Sequence, residues 1–374
     1  VSGSVKKDET RGTWYFVIDA RTVDGRRRQV KRRGFARKKD AENARDELHR
    51  EMRTGRGVEP TRATFGQFLE DRWLPHVEND DRLAPTTRHA YRNAARHLIR
   101  LTGGVELQEL RGDDLDRVYA QLRDRSASLR RQVHLVAHKS LRDAGRWRLV
   151  GFNAAEDATP PPQPRPEPKA WTPAQVSTFL DHAAGDRWAT LWRLAATTGM
   201  RRGELVGLSW SDFDADRQEV TVRRNVTVVD HALHVGPPKN GRYRTIRLDP
   251  DTVAVLRAHR RRQAEELLVL GEYRPDHDSV FTWPDGSLVH PDVISRTFKR
   301  IVQRAELPPL RLHSLRHAWA TNALAAGVDV KDVATRLGHA STRITYDIYV
   351  APSSDRDAAA ASLVAGMYGS SGGE

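Results

Sequence analysis

Thr198-Gly199-Met200-Arg201-Arg202-Gly203-Glu204-Leu205 and, far downstream, His313-Ser314-Leu315-Arg316-His317 say most about what this chain builds. His313 and Arg316 stand three residues apart, so on a helix they project from one face, one turn apart. That face offers an imidazole and a planar guanidinium to a single group. Arginine suits a phosphate because its fork pairs with two oxygens and keeps its charge. In the upstream stretch a helix start is expected after Thr198-Gly199, where backbone amides also favour an anion. Either Arg201 or Arg202 could be the ligand there, the other lying on the surface. Leu337-Gly338-His339 and two tyrosines, Tyr346 and Tyr349, complete the set. Two guanidiniums, several imidazoles and a phenol can grip a phosphodiester and attack it with a side-chain oxygen. Phenol activation alone does not choose between the tyrosines.

Other chemistries fit less well. His313 and His317, four apart, could bind zinc on a helix, but Ser314 stands where a His-Glu-x-x-His site has its glutamate. No metal is expected, and no cofactor, because there is neither a P-loop nor an acidic metal cluster. Cysteine is absent, which excludes disulfides and thiolate metal sites and fits a reducing cytoplasm. No run of about 18 apolar residues exists, so no membrane span is expected.

The 374 residues carry 62 Lys and Arg against 49 Asp and Glu, a formal charge of +13. That balance favours a polyanionic partner such as nucleic acid. Residues 1–39 alone hold 13 Lys/Arg and 4 acids. Within them Trp14 to Asp19 alternates with a period of two, Asp24-Gly25 marks a turn, and Arg27 to Lys31 reads as another strand. Lys39 to Met52 has helical spacing. A small three-stranded sheet with one helix behind it is expected over 1–55, its cations Arg26, Arg27, Arg28, Lys31, Arg32 and Arg33 facing phosphates or a major groove. Gly55 to Pro60 reads as a hinge.

Residues 63–152 read as an all-helical unit. Thr64 caps a helix with Phe65, Phe68, Leu69 and Trp73 on its apolar face, and Pro85 opens another through Tyr91, Ala95 and Leu98. Arg88, Arg92, Arg96 and Arg100 recur every four residues, a basic ridge suited to a DNA backbone. Prolines crowd residues 153–170, which read as an extended spacer. Trp171-Thr172-Pro173 restarts helix. Helices are expected to about Leu208, strands over Glu219–Val229 and Tyr243–Leu248, then helices through 368, with 369–374 a flexible tail. The fold class is α+β multidomain and mainly α, with a small antiparallel sheet in the third unit.

The two opening stretches, with Leu208-Ser209-Trp210-Ser211-Asp212-Phe213-Asp214 after the first, resemble the first and second boxes of the tyrosine recombinase (phage integrase) family. Leu337-Gly338-His339-Ala340-Ser341 resembles the third, Tyr349 stands ten residues after His339 as in many integrases, and Pro238-Lys239-Asn240-Gly241 is similar to the segment bearing the family's β-hairpin lysine. The resemblance implies an arm-type DNA-binding domain, a core-binding domain and a catalytic domain in that order. It implies Tyr349 as nucleophile, forming a 3′-phosphotyrosyl bond. Arg201 and Arg316 would clamp the non-bridging oxygens, Lys239 would protonate the leaving 5′ oxygen, His313 would assist proton transfer, and His339 would donate a hydrogen bond. Glu204 would support the site, as would His317. It further implies double-stranded core and arm sites as partners, a homotetramer exchanging strands through a Holliday junction, a host bending factor and an excisionase. A resolvase of the same chemistry and a non-catalytic DNA-binding regulator are the alternative readings.

Overall fold

In a computed structural model, the described residues are 3–9, 12–21, 27–53, 61–162, 169–269, 271, 277–339, 341–349, 362 and 365. The chain divides into two compact units, Val1–Arg165 and Pro166–Glu374. The expected hinge at 55–60, residues 163–168 of the spacer, and the residues after Tyr349 except Ser362 and Ala365 lie outside the described residues.

Alternation in the basic N-terminal segment produces an antiparallel sheet of β1 (Gly3–Asp8), β2 (Thr13–Arg21) and β3 (Arg27–Phe35) in the order β1-β2-β3. Phe16 and Ile18 are fully buried on one face, where Ala41 and Ala44 of α1 (Lys38–Arg53) also lie in the packed interior. Residues alternate across a strand, so Tyr15 falls on the other face, paired with Lys6 on one side and Arg33 on the other. The Lys31 ammonium sits 4.2 Å from the centre of the Tyr15 ring.

The helical part of this unit holds α2 (Phe65–Phe68), a π-helical turn (Leu69–Trp73), α3 (Leu74–Glu78), α4 (Pro85–Thr102), α5 (Gly112–Gln121), α6 (Ala127–Arg146) and α7 (Ala154–Asp157). Thr64 and Gln67 form the capping box that starts it: each side chain takes up the other's backbone N–H. Phe65, Phe68, Leu69, Trp73, Leu98, Val133 and Leu141 fill its core. The one carboxylate inside, Asp143, accepts from Trp73 Nε1 at 3.0 Å and from Lys139 at 3.0 Å, so its charge is paired.

The second unit contains α8 (Pro173–Ala183), α9 (Ala189–Thr198), α10 (Arg202–Val206), a 3₁₀ turn (Trp210–Asp212), β4 (Phe213–Asp214), β5 (Glu219–Val222), β6 (Asn225–Val229), β7 (Ala232–Gly236) and β8 (Arg244–Arg247). After these come α11 (Pro250–Leu268), α12 (Pro291–Arg304), α13 (Leu312–Ala325), α14 (Val330–Leu337) and α15 (Thr342–Tyr349). Trp171, Phe179, Trp192 and Phe298 cluster with ring centres 5.0 to 6.0 Å apart and anchor α8, α9 and α12 to one core.

The expected strand region Glu219–Val229 holds two strands, which lie in two different sheets. β5 lies in the sheet β4-β5-β8, and β6 pairs with β7, which sequence periodicity did not mark. The break falls at Arg223 and Arg224, both paired with the buried Asp212 carboxylate, which diverts the chain at that point. No helix among the described residues is long and apolar enough to cross a membrane.

Candidate active site

α14 ends in a left-handed residue, Gly338 (φ +66°), and its last carbonyls have no partners within the helix. Three successive carbonyls there each receive a different arginine. Arg336 O accepts from Arg244 Nε at 2.8 Å, Leu337 O from Arg316 Nη2 at 2.6 Å, and Gly338 O from Arg201 Nη2 at 3.5 Å. The partial negative charge of a helix C-terminus favours cations at this spot. One helix end thus gathers the arginines of both opening stretches, although they are 115 positions apart.

Each arginine is also held from behind. Arg316, on the buried face of α13, donates its Nη1 to Gly199 O at 2.8 Å. Gly199 has φ +65° at the end of α9, and a Cβ added there would come within 2.7 Å of Leu337 Cδ2, so the close approach of α9 to α14 requires glycine. Arg201 donates Nη1 to Glu204 Oε1 at 2.8 Å, and its backbone N–H reaches Glu204 Oε2 at 2.9 Å. Glu204 is fully buried and also takes Arg244 in a two-point bridge at 3.0 and 2.6 Å. Burial alone would raise the Glu204 carboxyl, but bonding to Arg244 and then to Arg201 offsets it and holds the group ionised, below its ordinary range. Arg202, the alternative ligand, points elsewhere: it bonds Asp292 and Ser295 of α12.

Arg244 was not singled out by the sequence. Its signal is weak, since it is one of several arginines in a basic segment and its partner is 40 residues away. Replacing it with methionine leaves a buried carboxylate half paired, a loss of about 3–5 kcal/mol. Chemical denaturation of the Arg244→Met variant should show that loss, whereas a change under about 1 kcal/mol would mean the bridge is replaced by water.

Lys239 is exposed in the connection between β7 and β8. These strands belong to different sheets, so the lysine is not on the turn of a simple hairpin. The connection is nevertheless tied to the site, because the next residue, Asn240, donates to Gly338 O at 3.0 Å, the carbonyl that also receives Arg201.

His313 and His317 lie edge to face on α13 with ring centres 5.2 Å apart. His313 is exposed at the helix surface, yet desolvation of its ring by the surrounding side chains, then His317, Arg316 and Arg201, lowers it to about 4, and burial, Arg316 and Arg201 do the same to the half-buried His339. Both imidazoles are therefore neutral at neutral pH. Because their folded values lie below the ordinary 6.5, the folded chain binds fewer protons than the unfolded chain between those limits. The stability they contribute is complete above about pH 6.5 and lost as pH falls towards 4. Melting temperature should fall across that window, and less steeply for a His313→Gln, His339→Gln double variant. An identical slope in the two proteins would exclude these groups as the cause.

His339 follows Gly338 and places its Nδ1 2.7 Å from Thr345 Oγ1 on α15. Thr345 is fully buried, whereas Tyr346 is exposed beside a surface hollow lined by Asp329, Lys331, Thr342 and Arg343. Tyr349 occupies the last position of α15, one turn beyond Thr345, and its side chain lies outside the described residues.

The DNA-binding cations expected in the first unit are distributed unevenly. Strand register puts Lys31 and Arg33 on the Tyr15 face and Arg32 on the opposite one, opposite Phe16. Arg27 and Arg28 lie on β3 with side chains outside the described residues, and Arg26 is outside them altogether. On α4, Arg88 donates to Leu83 O and Glu78 O, and Arg92 pairs with Glu78, so both also brace the end of α3. Arg96 bonds Asn93 at 3.2 Å.

Residues 169–356 match the phage integrase family and residues 4–52 an arm DNA-binding domain. The chain is 27% identical over 344 residues to a XerC-like tyrosine recombinase of Caldanaerobacter subterraneus subsp. tengcongensis, covering 83% of this chain and 85% of that protein. It is 26% identical over 361 residues to an integrase of Streptomyces ambofaciens, covering 93% and 91%. Among solved structures, the Tn1549 transposon integrase in complex with a circular intermediate DNA matches with TM-score 0.66 at 16% identity, over 81% of this chain and 99% of that one. A lambda integrase tetramer bound to a Holliday junction matches with TM-score 0.59 at 16% identity, over 92% and 94%.

Proposed function

The chain belongs to the phage integrase family, and from that premise we propose that it is the site-specific recombinase of a phage or integrative element, cutting and rejoining DNA through a tyrosyl ester. The observation that carries this reading is the convergence of Arg201 and Arg316 on adjacent carbonyls at the end of α14, beside His339.

The chemistry follows from these groups. The scissile phosphate sits between the two guanidiniums, whose positions are fixed before DNA arrives, so charge gathering on the phosphorane-like transition state meets donors that need no reorganisation. The Tyr349 oxygen attacks phosphorus in line. Its proton must leave as attack proceeds, because a free phenol has a pKa of about 10, and the neutral His313 imidazole accepts it. The bond from phosphorus to the 5′ oxygen breaks, and Lys239 supplies the proton that makes that oxygen a hydroxyl. His339 donates to a non-bridging oxygen. The resulting 3′-phosphotyrosyl ester keeps the energy of the broken bond, and attack by a 5′-hydroxyl from a second duplex returns the phenol and joins the strands. No nucleotide or metal takes part in these steps.

Four copies on two duplexes would complete exchange through a Holliday junction, the assembly in which lambda integrase was solved. Residues 1–55 form the arm-site domain, 63–152 the core-binding domain, 153–170 the linker and 171–368 the catalytic domain. A host bending factor and an excisionase would set the direction of the reaction. The arm domain argues against a simple resolvase, and the filled catalytic positions argue against a non-catalytic regulator. Deleting residues 1–55 tests the division of labour: core-site cleavage should survive and integration should be lost. Undiminished integration by the truncated chain would refute the arm assignment.

A further inference from the structure

We propose that Thr345 is a positioning residue that fixes which nitrogen of His339 carries the proton, so that seating of the nucleophile's helix and recognition of the phosphate become one event. The inference rests on the reading that His339 meets the scissile phosphate.

A neutral imidazole has one N–H and one lone pair, and the partner of one nitrogen decides the state of the other. Thr345 Oγ1 is 2.7 Å from His339 Nδ1, and its side chain is wholly buried, so water does not replace it there. A hydroxyl can donate or accept; in the arrangement proposed it donates to Nδ1, so the proton resides on Nε2, which then donates to an anion. With the opposite tautomer Nε2 would present a lone pair to a phosphate and repel it. The main chain of His339 is held independently of α15, because its N–H is bonded to Ala334 O at 3.0 Å at the end of α14. Its partner Thr345 rides on α15, one turn before Tyr349. If α15 leaves its seat, the phosphate donor loses its orienting partner at the same moment that the attacking residue departs. A protomer without its nucleophile helix in place would then hold DNA with an incomplete clamp, which discourages cleavage by an alternative oxygen such as water.

Long-range proton–nitrogen correlation spectra of full-length protein labelled with ¹⁵N-histidine read the tautomer directly, with the His339 signals assigned by their loss in His339→Gln. Wild type and Thr345→Ser should carry the proton on Nε2, and Thr345→Val should show a mixture. In parallel, cleavage of a nicked core-site duplex should slow about tenfold in Thr345→Val, the worth of one hydrogen bond, and recover in Thr345→Ser. A wild-type His339 protonated on Nδ1 overturns the proposal whether or not any variant folds. So does a Thr345→Val protein with unchanged tautomer, or with an unchanged cleavage rate. Absence of a covalent adduct with wild type would instead sink the recombinase reading on which this one stands.

Discussion

Replacing Tyr349 with phenylalanine removes covalent attachment to DNA while leaving DNA binding within about twofold, since only one oxygen is lost. With Tyr349 as the proposed nucleophile, its loss should lower adduct formation by about 10⁴-fold or more. The comparison that matters is Tyr346→Phe. Tyr346 is 58% exposed beside a hollow on the outer side of α15, whereas Thr345, one turn before Tyr349, is bonded to His339. Cleavage should therefore be nearly unchanged in Tyr346→Phe. An adduct formed by Tyr349→Phe and lost in Tyr346→Phe would reverse the assignment.

Arg316→Ala should be nearly as damaging, for two separable reasons. Removing one preorganised donor from a charged transition state costs about 10²–10³ in rate. The same change strips a buried donor from Gly199 O and Leu337 O, each left at a cost of about 1–3 kcal/mol, so the melting temperature should drop as well. Arg316→Lys separates the two effects, because lysine keeps the charge but lacks the planar fork. Slow cleavage by a stably folded Arg316→Lys protein is the expected outcome. Cleavage at the wild-type rate in Arg316→Lys would reduce the residue to a structural brace.

The parts of this account legible in the sequence were those encoded locally. The cap at Thr64 and the Thr172-Pro173 start announce helices in a few consecutive letters, and the structure forms both, each completed by a glutamine three residues on. His313 and Arg316 share a face through helical spacing alone. What escaped depends on distant or backbone partners. Glu204 is legible as an acid near Arg201, but its bridge to Arg244 joins segments that only the fold brings together. The separation of β5 from β6 follows from the buried Asp212 drawing in Arg223 and Arg224, a pairing that strand periodicity cannot register. The acceptors that gather Arg244, Arg316 and Arg201 are main-chain carbonyls, which every residue possesses and no side-chain pattern reveals. Where the Lys239 connection runs was equally hidden, because β7 finds its partner in β6 and β8 finds its own in β5.

In the proposed reaction a tyrosyl oxygen at position 349 becomes esterified to a DNA phosphorus held between Arg201 and Arg316. Trapping the reaction on a nicked core-site duplex, digesting the product with nuclease and protease, and sequencing the modified peptide by mass spectrometry tests it most directly. A phosphonucleotide on Tyr349 is expected in wild type, forming about 10²–10³ times more slowly in Arg201→Ala and Arg316→Ala. A phosphonucleotide on Tyr346 or on any serine, or an unmodified peptide from a reaction that has cut its DNA, would contradict it.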